Sequence, residues 1–205
     1  MKGKLITFEG IDGVGKTTVI KSLSEILKDT LGDNLITTYT PGATPIGQKI
    51  KKILLDGEKD DFSIETKTSL FLYDHLLHIQ EVLIPALAKG KIILCDRYID
   101  SLVVYQNFGY GVNLDCLSLL MIPVPTKTFL LECPMNIILN RLKRRKISQF
   151  KDNWLDSMDL DFYEKINEGY SFLAKKHSNR IKKINANVPD NVLLKTLLKE
   201  CENLF

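Results

Sequence analysis

Two hydrophobic periods alternate along this chain. Short apolar runs suit strands, and longer stretches whose apolar residues return every three or four positions suit helices. Lys4-Leu5-Ile6-Thr7-Phe8-Glu9 is the first apolar run, and Thr17 to Lys28 follows it with Val19, Ile20, Leu23, Ile26 and Leu27 at helical spacing. Turn formers from Thr30 to Asn34 separate that helix from a second predicted strand, Leu35-Ile36-Thr37-Thr38-Tyr39. After the loop at Thr40-Pro41-Gly42-Ala43, a helix starts at Thr44 or Pro45 and runs to about Leu55. Ser63 to Lys89 is the longest helical pattern, with Pro85 set to kink it near its end.

Lys91 to Cys95 is continuously apolar, as a strand covered on both faces requires. Helical patterns are predicted from about Asp100 to Gln106 and from Leu114 to Met121, before a fourth strand, Thr128-Phe129-Leu130-Leu131-Glu132. Met135 to Lys146 is a basic amphipathic helix, and from Ile147 to Ser157 the periodicity vanishes, which predicts a mobile loop. A helix over Asp159–Lys176, a weak strand at Ile181–Asn185 and a closing helix from Val188 to Leu204 complete the chain. Strands alternating with helices predict a five-stranded parallel sheet, joined by right-handed crossovers and covered by helices on both faces.

Composition narrows this picture only a little. A length of 205 residues with 44% hydrophobic content suits one domain spanning 1–205. The formal charge of +3 is too small and scattered to point to nucleic acid. Cys95, Cys116, Cys133 and Cys201 are far apart and suggest reduced thiols rather than a zinc or disulfide pattern. The first strand begins almost at once and no apolar run is long enough to span a bilayer, so the expectation is a cytoplasmic protein with no membrane partner.

Chemistry enters at Gly10-Ile11-Asp12-Gly13-Val14-Gly15-Lys16-Thr17, which fits the phosphate-binding pattern G-x-x-x-x-G-K-[ST] and lies between a strand and a helix. Glycines let the backbone approach a phosphate, and successive N–H groups with the helix dipole favour an anion there. Lys16 is the expected cation on the β and γ oxygens of ATP, and the Thr17 hydroxyl the expected Mg²⁺ ligand. Ligands in open parallel sheets gather beyond the carboxyl ends of strands. Glu9 and Asp12, Tyr39 to Thr44, and Asp96 with Arg97 all lie at such ends.

Asp96 suits a metal site, and as a plainer role an N-cap for the next helix. Arg97 suits bidentate capture of a second phosphate, or else a surface ion pair. Arg141, Arg144 and Arg145 precede the aperiodic loop, as a lid helix over a transferring phosphate would place them. A solvated basic face is the alternative. Phe71 is either a stacking platform for a base or a core residue of its helix.

Several of these stretches resemble one family. Phe8 to Thr18 is similar to the opening of thymidylate kinases, Asp96-Arg97-Tyr98-Ile99-Asp100-Ser101 with Tyr105-Gln106 resembles their second signature, and Pro41-Gly42-Ala43-Thr44 a third. Leu160 to Tyr170 resembles the helix after their lid. The resemblance covers nearly the whole chain. It implies a P-loop kinase fold that transfers the γ-phosphoryl of Mg-ATP to dTMP and pairs into a homodimer.

Carried over by position, Gly10 to Thr18 and Arg141 serve ATP, and Thr17 and Asp96 serve Mg²⁺. Glu9, Asp12, Pro41, Phe71, His75, Arg97, Ser101, Tyr105 and Gln106 serve the acceptor. Asp12, Lys16 and Arg97 join either Arg144 or Arg145 in the catalytic set, with a lid over about 141–158. The chain departs from the family at Tyr39-Thr40 in place of Arg-Glu, at Ala43 in place of glycine and at His75 in place of an arginine. It departs again at Leu102 in place of a polar residue and at Trp154 in place of Asp-Arg. These changes gather near the acceptor base and lid, so a kinase for another nucleoside monophosphate and a non-catalytic ATP-binding relative stand as alternatives.

Overall fold

The structure is a computed structural model that describes residues 3–56, 62–114, 117, 122–148, 160–202 and 204, with backbone alone for 56 and 144–148. Its elements are β1 (Lys4–Glu9), α1 (Lys16–Leu31), β2 (Leu35–Tyr39), α2 (Pro45–Asp56), α3 (Ile64–His78) and α4 (Ile84–Ala88). There follow β3 (Ile92–Asp96), α5 (Ile99–Val103), β4 (Lys127–Glu132), α6 (Met135–Ser148), α7 (Leu160–Lys176), β5 (Ile181–Asn185) and α8 (Asp190–Glu202). The five strands form one parallel sheet in the order β2-β3-β1-β4-β5. This is the five-stranded parallel arrangement that the alternating periods predict.

Most predicted boundaries lie within two or three residues of the observed ones, and the exceptions have physical causes. The long helical pattern is not uniform: a π-helical turn at Ile79–Leu83 separates α3 from α4. Pro85 lies just beyond it, and the ring of a proline clashes with the carbonyl four residues back, which a wider turn relieves. A second π-turn, Val104–Gly109, extends α5 past the predicted end at Gln106. Of the helix predicted over Leu114–Met121 only Leu114 and Leu117 lie among the described residues, and the predicted loop is outside them except at Ile147 and Ser148.

Strand alternation decides what faces what. Ile6 and Phe8 of β1, with Leu94, Phe129 and Leu131, meet Val19, Ile20, Leu23 and Leu27 of α1 and Leu193, Leu197 and Cys201 of α8. The apolar residues of those helices recur at i, i+4 and i+8, so each helix lays one stripe on the sheet. Leu5 points the other way, with Ile93 and Cys95, towards Ile79, Leu83 and Ala86. A third cluster joins Leu130 and Ile181 to α6 and α7 through Ile138, Leu142, Phe162, Ile166 and Tyr170. By the same parity, Glu9 ends β1 on the α5 and α7 side.

The helix α3 is held to the sheet by buried polar groups as well as by packing. Asp74 accepts from Thr40 Oγ1 and from the Gly42 amide, both at 3.0 Å, and His78 Nε2 lies 2.8 Å from Thr38 Oγ1. His78 is fully buried and its Nδ1 has no partner among the described residues. Burial, then the neighbouring His75, lowers its pKa from 6.5 to about 4.

His78 therefore stays neutral in the fold while the unfolded chain takes up a proton as pH falls below 6.5. Stability is lost across the window from pH 6.5 down to about 4. The loss attributable to this residue is about 3 kcal/mol. Urea unfolding at pH 7 and pH 5 checks this: His78→Gln is expected to flatten the difference, and an equal pH dependence in both proteins would refute the assignment.

Candidate active site

The chain leaves β1 towards one side of the sheet and later crosses from β3 to β4 past it, so the carboxyl ends of β1 and β3 border an open crevice. Gly10 turns the chain there at φ 135°, where a Cβ would stand 2.5 Å from the Leu131 carbonyl oxygen. Only glycine fits. Lys16 Nζ donates to the carbonyls of Gly10 and Ile11 at 2.9 and 3.1 Å, so its ammonium lies across the loop. Burial, then the charge of Arg97, lowers its pKa from 10.5 to about 8. The Thr17 hydroxyl donates to Asp96 Oδ2 at 2.5 Å, which places two hard oxygen groups side by side at the start of α1.

Arg97 is the non-glycine residue with positive φ among those described, at 65°. That strained conformation turns its side chain back over the crevice, held by a bond from its amide to the Phe8 carbonyl. Nη2 donates to Asp12 Oδ1 at 2.8 Å and to Tyr105 Oη at 3.2 Å, while Nη1 donates to Ser101 Oγ at 2.9 Å and to Tyr170 Oη at 3.2 Å. Tyr105 Oη also donates to Asp12 Oδ2 at 3.1 Å. Burial acts to raise the Asp12 pKa, but the Arg97 guanidinium, with Lys16, outweighs it and holds the carboxyl well below the usual carboxylate range.

These residues border a cavity of about 1400 Å³. Asp12 to Thr18 and Arg141 line one part, and Arg141 Nη1 donates to the Val14 carbonyl at 3.1 Å. Pro41, Phe71, His75, Ser101, Tyr105 and Gln106 line the rest, with Asp96 and Arg97 between. The donor loop and the acceptor residues expected from the sequence thus border one space, and the Thr40–Pro41 peptide at its rim is cis. Both ring nitrogens of His75 lie against backbone carbonyls, Nδ1 at 2.9 Å from Phe71 and Nε2 at 3.3 Å from Tyr98. The side chains of Arg144 and Arg145, and Trp154, lie outside the described residues.

Glu9 is placed differently from its expected role. It is 1% exposed and stands behind Arg97, where it accepts from the Tyr98 amide at 2.8 Å, from Ser101 Oγ, and from Tyr170 Oη at 3.2 Å. Burial, then the charge of Asp100, raises its pKa from 4.5 to about 7. Asp100 is itself held by Arg180 through two bonds of 2.7 Å.

Sequence reasoning did not single out Tyr170 or Arg180. The available signal was the Gly169-Tyr170 pair: a Cβ at Gly169 would meet Phe108 at 2.7 Å, so the glycine lets α7 press its tyrosine into the site.

The sequence profile of the thymidylate kinase family matches residues 8–196. A thymidylate kinase of Latilactobacillus sakei is 33% identical over 206 residues, covering 98% of this chain and 94% of that protein. One from Sulfurihydrogenibium is 39% identical over 183 residues, covering 87% of this chain and 86% of that protein. The crystal structure of thymidylate kinase from Ehrlichia chaffeensis superposes with a TM-score of 0.79 at 26% identity, covering 97% and 98% of the two chains.

The raised pKa of Glu9 sets a stability profile. The folded chain keeps a proton that the unfolded chain releases between pH 4.5 and about 7, so this contribution is present at low pH and lost as pH rises through 7. Glu9→Gln mimics the protonated acid. It is expected to gain roughly 3 kcal/mol on the wild type between pH 5 and pH 8 in chemical unfolding; a constant difference across that range would contradict it.

Proposed function

The chain belongs to the thymidylate kinase family, and from that premise we propose how its residues divide the work of moving the γ-phosphoryl of ATP to dTMP. The activity itself follows from the family match over residues 8–196 and from full-length relatives of one name. The observation that carries the division of labour is the single cavity, with the glycine-rich loop on one side and Arg97 on the other.

In this reading the loop amides from Gly13 to Thr18, with Lys16 and Arg141, hold the donor phosphates. Lys16 leaves the Gly10 and Ile11 carbonyls for the β and γ oxygens. The oxygens of Thr17 and Asp96 suit Mg²⁺, which prefers one or two protein ligands completed by phosphates and water. When bound there, the ion neutralises charge across the donor phosphates. Asp12, Tyr105 and Ser101 aim the Arg97 guanidinium, which holds the acceptor phosphate in line with the donor.

Phe71 is the stacking face for thymine and Gln106 lies at its edge, with Pro41 and His75 closing the pocket. Asp12 and Tyr105 face the deoxyribose. Either Arg144 or Arg145 supplies a further cation from the lid over about 141–158, within one domain spanning 1–205.

A homodimer is part of the same proposal. It is supported by Ile53 of α2 and Tyr73 of α3, apolar side chains 45% and 50% exposed on two helices that pack together. A cytoplasmic location is proposed from the family, and among the described residues no helix is long and apolar enough to cross a membrane.

Two substitutions test the assignments. Lys16→Ala is expected to lower kcat by at least 100-fold, about 3 kcal/mol of transition-state stabilisation; undiminished turnover would refute its role. Arg97→Ala is expected to raise the KM for dTMP and lower kcat with little change in the KM for ATP, and an effect confined to ATP would contradict the acceptor role.

A further inference from the structure

The Thr68 hydroxyl of α3 makes two contacts that one proton cannot serve. It is buried, with Oγ1 2.7 Å from the Ile64 carbonyl oxygen and 2.6 Å from Gln106 Oε1. Both are full O–H···O lengths, so each calls for a hydrogen between the two oxygens. A hydroxyl supplies one. The Ile64 carbonyl is fixed in its helix and can only accept, so Thr68 donates there, as helical threonines do to the carbonyl one turn back. Towards Gln106 it is left as an acceptor.

The Gln106 amide has two orientations in the same space, and the network around it selects between them. With Oε1 towards Thr68, one pair of oxygens lies in contact with no hydrogen between. With Nε2 towards Thr68, the amide donates to Oγ1, a shift of about 0.3 Å gives ordinary N–H···O spacing, and every proton has an acceptor. The second orientation is favoured.

The far end of the amide has no partner among the described residues and opens on the cavity. Its backbone is fixed, because Gln106 lies in the π-turn Val104–Gly109 and its carbonyl accepts from the Val112 amide at 2.8 Å. Thr68 precedes Phe71 by three residues, so both lie on one face of α3. Nearby, His75 is held between two backbone carbonyls, Ser101 is taken up by Glu9, Arg97 and Tyr170, and Leu102 is apolar. The Gln106 amide is a polar group with one end to spare.

We infer that Thr68 is a positioning residue for base selection, which turns the Gln106 amide so that its oxygen faces the base of the acceptor nucleotide. This rests on dTMP being the acceptor, with its base on Phe71. Thr68 touches no nucleotide and acts through Gln106. An oxygen at that place accepts from the N3–H of thymine or uracil, whereas cytosine presents a lone pair at N3 and is repelled.

Equilibrium titration without ATP, using dTMP, dUMP and dCMP in turn, tests this in wild type, Thr68→Val, Thr68→Ala and Thr68→Ser. ATP affinity is measured on the same proteins. Valine keeps the branched shape without the hydroxyl, alanine serves if valine disturbs the packing, and serine keeps the hydroxyl.

The wild type is expected to bind dTMP more than tenfold more tightly than dCMP. Loss of the hydroxyl frees the amide to turn, and that preference is expected to fall about tenfold, as for one neutral hydrogen bond. The preference for dTMP over dUMP, which differ in a methyl group away from N3, and the affinity for ATP are expected to stay as in the wild type. Thr68→Ser is expected to restore the preference against dCMP. A wild type indifferent between dTMP and dCMP, an unchanged ratio in both variants without the hydroxyl, an equal loss for all three nucleotides, or a serine variant that behaves like alanine would each overturn the inference. A wild type that binds none of the three would instead sink the acceptor reading on which it rests.

Discussion

A guanidinium cannot be deprotonated and cannot be left unpaired in a half-buried crevice, and much of this site is the answer to that constraint at Arg97. Its two terminal nitrogens donate four bonds, to Asp12 from the loop after β1, to Ser101 and Tyr105 from α5 and the turn beyond it, and to Tyr170 from α7. Three separate stretches of chain are thus held in one arrangement by a single side chain. In the proposed function, the acceptor phosphate meets a fork already oriented, with its carboxylate partner ready to share it. The backbone strain at φ 65° is stored where that orientation is set.

Behind this front lies a buried polar layer that has no direct access to the cavity. Glu9 binds Ser101 and Tyr170, and Asp100 beside it is held by Arg180 and Thr128. On the other side of the crevice, Asp74, His75 and His78 of α3 each reach a different piece of backbone or strand: the loop after β2, the turn after β3, and β2 itself. The face that carries Phe71 is therefore fixed to both loops that border that side of the cavity. In water-poor surroundings such groups are stable only when paired, so positions in this layer are tightly coupled to the front.

Much of the fold was legible because the apolar periods are clean. β2 and β5 are observed with the limits predicted, and β1 carries its glycine-rich turn where the phosphate pattern requires it. The π-turns were not legible, since a widened turn leaves apolar spacing almost unchanged, and only Pro85 hinted at one of them. Within the site, most residues expected from a motif or from the resemblance line the cavity, Phe71, His75 and Arg141 included, while Tyr170 of α7 was not singled out. Tyr170 sits 73 positions from Arg97, and its one local mark is the glycine before it. Glu9 shows the opposite error: a strand-end carboxylate was expected at the ligand, but its side-chain parity aims it under α5.

In the proposed function one cavity holds a donor and an acceptor phosphate in reach of each other, with a pyrimidine deoxynucleotide as acceptor. Release of ADP from Mg-ATP, followed with dTMP and in turn with dUMP, dCMP, dAMP and dGMP, tests it most directly. ADP release is expected to depend on the monophosphate and to be fastest with dTMP. Release unaffected by any monophosphate, or fastest with a purine nucleotide, would contradict it.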